Sequence, residues 1–124
     1  MKTILLVEDD LAVQETISDY FSMKTSYKVV TAEDGEIAMD QIMNGPPDLI
    51  LLDVLLPRVN GLAFLQNLRK TEKAKDIPVI FMSGEMIDET DKKLGLELGA
   101  VGYFEKPIDF HALLEQVNSI LSGK

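Results

Sequence analysis

Five short apolar runs recur along the chain, each followed by a longer stretch of different period, and this alternation constrains the fold more than any other feature. The runs are TILLV from Thr3, KVVT from Lys28, DLILL from Asp48, PVIFM from Pro78 and VGYF from Val101. Three of them are essentially apolar throughout, as expected of parallel strands covered on both faces. The stretches between and after them carry apolar residues at three- and four-residue spacing: Val13, Ile17, Tyr20 and Phe21; Ala38, Met39, Ile42 and Met43; Phe64, Leu65 and Leu68; Leu94 and Leu98; Phe110, Leu113, Leu114, Val117 and Leu121. Each reads as a helix with one face on a sheet. Right-handed crossovers then give a five-stranded parallel sheet, (βα)5 and doubly wound, with helices on both faces. NGPP (Asn44 to Pro47) and LGA (Leu98 to Ala100) read as helix stops in which glycine takes the left-handed cap conformation. The fourth helical segment is the weakest, because Gly95 in its middle costs about 1 kcal/mol relative to alanine.

The 124 residues suit one domain, 1–124, with no repeat, linker or low-complexity tract to divide them. A formal charge of −9, from 21 acids against 12 Lys and Arg, repels phosphate backbones and anionic lipid, which argues against direct nucleic-acid or membrane binding. The absence of cysteine excludes a disulfide framework and thiolate zinc sites and agrees with a reducing compartment. The apolar run at the start is only about four residues long before acids interrupt it, too short for a signal peptide or a membrane span. A cytoplasmic location is expected.

In an open α/β sheet, ligands bind in the crevice at the carboxyl ends of the strands. The first strand delivers Glu8, Asp9 and Asp10 to that edge, the third Asp53, the fourth Ser83 and Gly84, and the fifth Lys106 and Pro107. Clustered carboxylates raise one another's pKa unless a cation holds them ionised. Hard oxygen ligands point to Mg²⁺ or the similar Mn²⁺, which keeps positions open for phosphate oxygens. Lys106 suits a phosphoryl oxygen or the Asp53 carboxylate, and Ser83 can donate to a second oxygen. Such a site would stabilise charge on a transferring phosphoryl group, with Asp53 as the nucleophile that forms an acyl phosphate.

ILLVEDD (Ile4 to Asp10), LLDVLLPRVNG (Leu51 to Gly61), FMSGE (Phe81 to Glu85) and GYFEKPID (Gly102 to Asp109) together resemble the receiver domain of two-component response regulators, a flavodoxin-like, CheY-like fold. The resemblance runs from end to end. It implies that Asp53 is the phosphoacceptor, supplied by a phosphohistidine on a histidine kinase or histidine phosphotransfer protein. It implies that Glu8, Asp9, Asp53 and the backbone carbonyl of Leu55 serve the metal, Asp9 directly and Glu8 through water, with Asp10 a third acid at the mouth. Lys106 matches the lysine that pairs with the phosphoryl group and Pro107 its usual neighbour, commonly behind a cis peptide bond. Ser83 matches the hydroxyl that moves toward the phosphoryl oxygen, and Tyr103 the aromatic switch that turns inward behind it. Pro57 and Gly61 shape the loop after the acceptor, Gly84 supplies compliance beside Ser83, and Leu55 with Glu85 governs how water reaches the acyl phosphate. Output is expected through a downstream protein on the face of the fourth helix, fifth strand and fifth helix. That last helix carries no Lys or Arg before Lys124, whereas receivers that dimerise through this face usually carry basic residues there.

Simpler roles compete at several positions. Asp10 and Asp109 are good helix N-caps, His111 reads as a surface residue and the methionines as core filler. Two other functions share these features: a metal-dependent phosphohydrolase with an aspartyl nucleophile, and an unphosphorylated protein-binding module. The phosphohydrolase usually carries an acid two residues after its nucleophile, where Leu55 stands, and an insertion to enclose its substrate. The binding module would be expected to lose an acid, the acceptor or the lysine, and all are present. The resemblance therefore implies a signalling phosphoacceptor that assists only its own phosphorylation and slow dephosphorylation, and not a general enzyme.

Overall fold

The computed structural model describes residues 1–54, 60–84 and 89–122. Five strands, β1 (Thr3–Val7), β2 (Lys28–Ala32), β3 (Leu49–Asp53), β4 (Val79–Ser83) and β5 (Ala100–Glu105), alternate with five helices. The helices are α1 (Leu11–Lys24), α2 (Gly35–Asn44), α3 (Gly61–Arg69), α4 (Glu89–Glu97) and α5 (Phe110–Leu121). All strand pairs are parallel, in the order β2-β1-β3-β4-β5. This is the doubly wound α/β fold expected from the sequence. The strand order reverses between β1 and β3, which places the crevice of such a sheet at the carboxyl ends of those two strands.

Strand parity sorts the core into two layers. Ile4, Leu6, Leu49, Leu51, Ile80 and Met82 pack on one face with Ile17 and Phe21 of α1 and Leu113, Val117 and Leu121 of α5. Leu5, Val7, Ile50, Leu52, Val79 and Phe81 pack on the other with Ala38 and Ile42 of α2 and Phe64, Leu65 and Leu68 of α3. Because successive residues of a strand point to opposite faces, β3 must be apolar at every position up to its end. β1 and β4 follow the same rule, while the edge strands β2 and β5 are only half buried.

Four helices start on a side-chain cap. Asp10 accepts from the Ala12 and Val13 N–H groups, Asp34 from Ile37, Asn60 from Ala63 and Asp109 from Ala112. Each satisfies donors that the first helical turn leaves over. The two expected glycine stops differ. Gly99 has φ +92°, the left-handed region. Gly45 has φ −176°, which is extended backbone, because the residue before a proline is pushed out of helical space and Pro46 follows. Gly95 has a packing reason: a Cβ there would lie 2.8 Å from Phe81 Cε2, so the glycine lets α4 sit directly on β4. The loss of helix propensity, about 1 kcal/mol, is offset by that close approach.

Arg69 braces the opposite end of the molecule. Its guanidinium donates to the carbonyls of Ile77 at 2.8 Å, Lys75 at 3.1 Å and Leu98 at 2.6 Å, with longer contacts to Ala74 and Gly99 at 3.4 Å. One side chain thus ties the end of α3 to the segment before β4 and to the turn before β5. Burial lowers its pKa from the usual arginine value, with the charge of Asp76 acting the other way.

Candidate functional site

The same parity that builds the two core layers decides which strand-end side chains meet. Two residues beyond Leu6, Leu51 and Phe104, all on the α1/α5 face, stand Glu8, Asp53 and Lys106. These three converge. Lys106 Nζ lies 2.8 Å from Glu8 Oε1 and 3.1 Å from Asp53 Oδ2. The ammonium is held there because the Lys106 N–H donates to the Ser83 carbonyl at 2.7 Å, extending the β4–β5 pairing by one residue. Ser83 and Tyr103 follow Phe81 in parity and belong to the other face, the one that carries α3 and α4.

Burial makes this cluster electrostatically tense. Glu8, Asp53 and Ser83 are the buried polar residues among those described, at 0%, 4% and 1% exposure. Burial raises the Glu8 carboxyl above its usual value; the hydrogen bond from Lys106 opposes this and the charge of Asp53 adds to it. Burial alone would lower the Lys106 ammonium, but its bonds and charge contacts with Glu8 and Asp53 outweigh that and raise it. Lys106 is therefore held charged between two acids.

The turn from β1 into α1 is fixed by its own hydrogen bonds. The second carboxylate oxygen of Glu8 accepts from the Asp10 N–H at 3.1 Å, and the Glu8 carbonyl accepts from Gln14 Nε2 at 2.5 Å. Asp10 directs its Oδ1 to the α1 N-terminus, where it accepts from the Ala12 and Val13 N–H groups. Among the described residues, Glu8, Asp9 and Asp53 can bring one carboxylate oxygen each to within 4.8 Å of one another, and Asp9 is exposed. That donor set fits Mg²⁺, which takes one or two carboxylates and fills its remaining positions with water and phosphate oxygens. Glu8, with both oxygens already engaged, suits an outer position, and Asp9 and Asp53 suit direct ones.

Two glycines lie close to Asp53 and Lys106. A Cβ on Gly61 would come within 2.8 Å of Val54 Cα and 3.0 Å of the Asp53 carbonyl, while the Gly61 N–H donates to the Val54 carbonyl at 2.6 Å. Only a residue without a side chain can approach the Val54 and Asp53 backbone this closely. A Cβ on Gly84 would lie 3.8 Å from Lys106 Cδ, so this backbone passes alongside the lysine stem. The Lys106–Pro107 peptide is cis. Leu55, Pro57 and Glu85 lie outside the described residues.

On the other face, Lys92 Nζ lies 5.1 Å from the centroid of the Tyr103 ring. Tyr103 borders a cavity of about 110 Å³ that is also lined by Val54, Leu62, Phe81 and Leu96. Asp91 and Lys92 complete its rim, so the cavity is apolar inside and charged at one side.

Gln14 was not among the residues singled out from the sequence. Its only sequence signal is its place one turn into the helix that follows the acidic pair, from which a long side chain points back toward the helix N-terminus.

A parallel doubly wound sheet, with buried acids and a lysine gathered where its strand order reverses, defines a phosphate- or metal-handling α/β domain. Residues 4–118 match the response regulator receiver domain, and the chain belongs to that family of signalling phosphoacceptors in two-component systems. It is 38% identical over 121 residues to the transcriptional regulatory protein CpxR of Escherichia coli K12, an alignment covering 98% of this chain and 50% of CpxR. The chain spans about half the length of the curated relatives it matches. Among solved structures, the chemotaxis protein CheY4 of Vibrio cholerae superposes with TM-score 0.88 at 27% identity, covering 98% of this chain and 99% of that one. The signal receiver domain of a signal transduction histidine kinase from Syntrophus aciditrophicus gives 0.85 at 31% identity, covering 99% and 92%. Among the described residues, no helix is long and apolar enough to cross a membrane.

Proposed function

We propose that residues 1–124 form one receiver unit in which Asp53 accepts a phosphoryl group from a phosphohistidine of a histidine kinase or histidine phosphotransfer protein. The observation that carries this reading is the buried Asp53 carboxylate at the end of the central strand, with Lys106 Nζ at 3.1 Å and the acids Glu8 and Asp9 beside it. An Asp53 carboxylate oxygen attacks phosphorus, the P–N bond of the donor breaks, and the imidazole leaves with a proton. Lys106 balances the charge that builds on the phosphoryl oxygens. Mg²⁺, or Mn²⁺, held by Asp9, Asp53 and the Leu55 carbonyl with Glu8 behind, would screen the repulsion between carboxylate and phosphoryl group. The product is an acyl phosphate, which water cleaves slowly, with Leu55 and Glu85 governing access.

The new charge draws Ser83 toward the phosphoryl group, and Tyr103 turns into the cavity behind it, a redistribution between two states of one fold. Support for this half comes from Ser83 and Tyr103 sharing a face and from a largely apolar cavity bordering Tyr103. The switched surface is that of α4, β5 and α5, where a downstream protein binds. At −9, these residues themselves repel nucleic acid. What CpxR does as a transcriptional regulator belongs to a chain about twice as long, and here only the phosphoacceptor role is assigned. A cytoplasmic location, where histidine kinases present their donors, follows from the same reading.

Incubation with Mg²⁺ and acetyl phosphate should introduce one base-labile phosphate per chain, and Asp53→Asn should abolish it. Undiminished labelling of that variant would overturn the assignment. Tyr103 has a separate test: its ring should move inward between the free and beryllofluoride-bound forms, and an unmoved ring would reject the switch.

A further inference from the structure

We infer that Gln14 is a positioning residue for the metal site, holding the peptide between Glu8 and Asp9 in the orientation that aims Asp9 at Asp53; this rests on the phosphoacceptor reading above. The peptide is the last rigid point before the exposed carboxylate. Upstream, the Glu8 N–H is tied to the β2 edge through the Ala32 carbonyl at 2.9 Å. The Glu8 side chain is pinned at both oxygens, by Lys106 at 2.8 Å and by the Asp10 N–H at 3.1 Å. Downstream, Asp10 is committed to α1, with its carboxylate on Ala12 and Val13 and its carbonyl accepting from the Gln14 N–H at 3.0 Å.

The Glu8 carbonyl lies beyond the strand pairing of β1, whose registered pairs end at Val7. Gln14 Nε2 meets this oxygen at 2.5 Å, from one turn inside α1. This bond fixes the rotation of the Glu8–Asp9 peptide plane and hence the direction in which the next side chain leaves. Gln14 touches no reacting atom; it acts through Asp9. Residues that orient ligands in this indirect way commonly change metal affinity by tenfold or more when removed.

The test uses the full chain with Mg²⁺ as the probe. Gln14→Met keeps the stem and volume and removes the donor; Gln14→Ala removes both. Backbone amide signals of Asp9 and Asp10 are followed through a Mg²⁺ titration, and acetyl phosphate labelling is measured against Mg²⁺ concentration. In both variants the half-saturating Mg²⁺ concentration should rise by about tenfold or more, while the labelling rate at saturating Mg²⁺ stays within about twofold of wild type. Exchange of the Asp10 amide should quicken as the turn loosens.

A half-saturation unchanged within twofold in both variants would overturn the proposal, even if thermal stability fell, because a merely structural role would move only the latter. A labelling rate that saturating Mg²⁺ fails to restore would also overturn it, since it would place Gln14 at the reacting atoms. Failure of the underlying reading looks different: wild-type chain would then show no saturable Mg²⁺ response that Asp9→Asn removes, and the proposal would fall with it.

Discussion

Replacing Lys106 with methionine keeps the side-chain length and removes the charge that touches both buried carboxylates. Glu8 Oε1 at 2.8 Å and Asp53 Oδ2 at 3.1 Å would then face each other without that ammonium, with side chains only 1% and 6% exposed. Removing one partner of a buried ion pair costs roughly 3–5 kcal/mol, and because the Lys106 side chain is 21% exposed a smaller loss, about 2–3 kcal/mol at neutral pH, is expected here. The deficit should depend on pH in a defined direction. In the wild type, burial and Asp53 already raise Glu8, with Lys106 opposing them. Without Lys106, Glu8 rises further. A carboxyl whose folded pKa lies above its unfolded value is bound by more protons in the folded state, so folding gains stability as pH falls from the folded value toward about 4.5. The deficit of the variant should therefore shrink between neutrality and pH 5, by at most about 1.4 kcal/mol per pH unit for one proton. Mg²⁺ supplies a substitute charge, so it should stabilise the variant more than the wild type. Urea unfolding of both proteins at pH 5 and pH 7.5, with and without Mg²⁺, reads all three effects. A deficit that is the same at both pH values and indifferent to Mg²⁺ would refute the reasoning, because the two carboxylates would then not be sensing Lys106.

Other substitutions probe the scaffold around the site. Gly61→Ala places a methyl 2.8 Å from Val54 Cα and should destabilise by about 1–3 kcal/mol in urea unfolding, since backbone and not a movable side chain blocks it. Arg69→Ala leaves the carbonyls of Ile77 and Leu98 without their guanidinium and should cost about 2–3 kcal/mol, with faster amide exchange in the segments that carry them; Arg69→Lys should recover little, because one ammonium cannot reproduce the fork. Lys92→Met removes the cation over Tyr103 and should shift the ring resonances of Tyr103 in the unphosphorylated protein, the contact being worth about 0.5–1 kcal/mol at a partly exposed site.

Much of this was legible in the sequence because the strands that build the site are the ones with the least ambiguous pattern. β1, β3 and β4 are buried on both faces, so they announce themselves as short apolar runs, and each ends where a charged or hydroxyl residue appears. Asp53 and Ser83 end their strands as the sequence places them, because the ladder continues past the apolar run: the Val54 N–H donates to the Met82 carbonyl and the Lys106 N–H to the Ser83 carbonyl. A change of side-chain character does not stop backbone pairing. Gly45 misled for a local reason, the proline after it, and Gly95 read as a weakness because its compensation, contact with Phe81, lies on another element. The 98-residue separation between Glu8 and Lys106 puts their contact beyond any local pattern, although strand parity predicts their common face once the strands are in register. Gln14 and Arg69 stayed hidden for a further reason: each acts on backbone carbonyls, and a carbonyl's need for a donor leaves no mark in sequence.

The central claim concerns one carboxylate, and reductive trapping tests it most directly. An acyl phosphate is reduced by borohydride to the alcohol, so a phosphorylated aspartate becomes homoserine and can be located by peptide mass spectrometry. After exposure to acetyl phosphate and Mg²⁺, homoserine should appear at position 53 and nowhere else. Homoserine at another acid such as Asp9 or Asp10, or none at all in a chain that had taken up phosphate, would contradict the account.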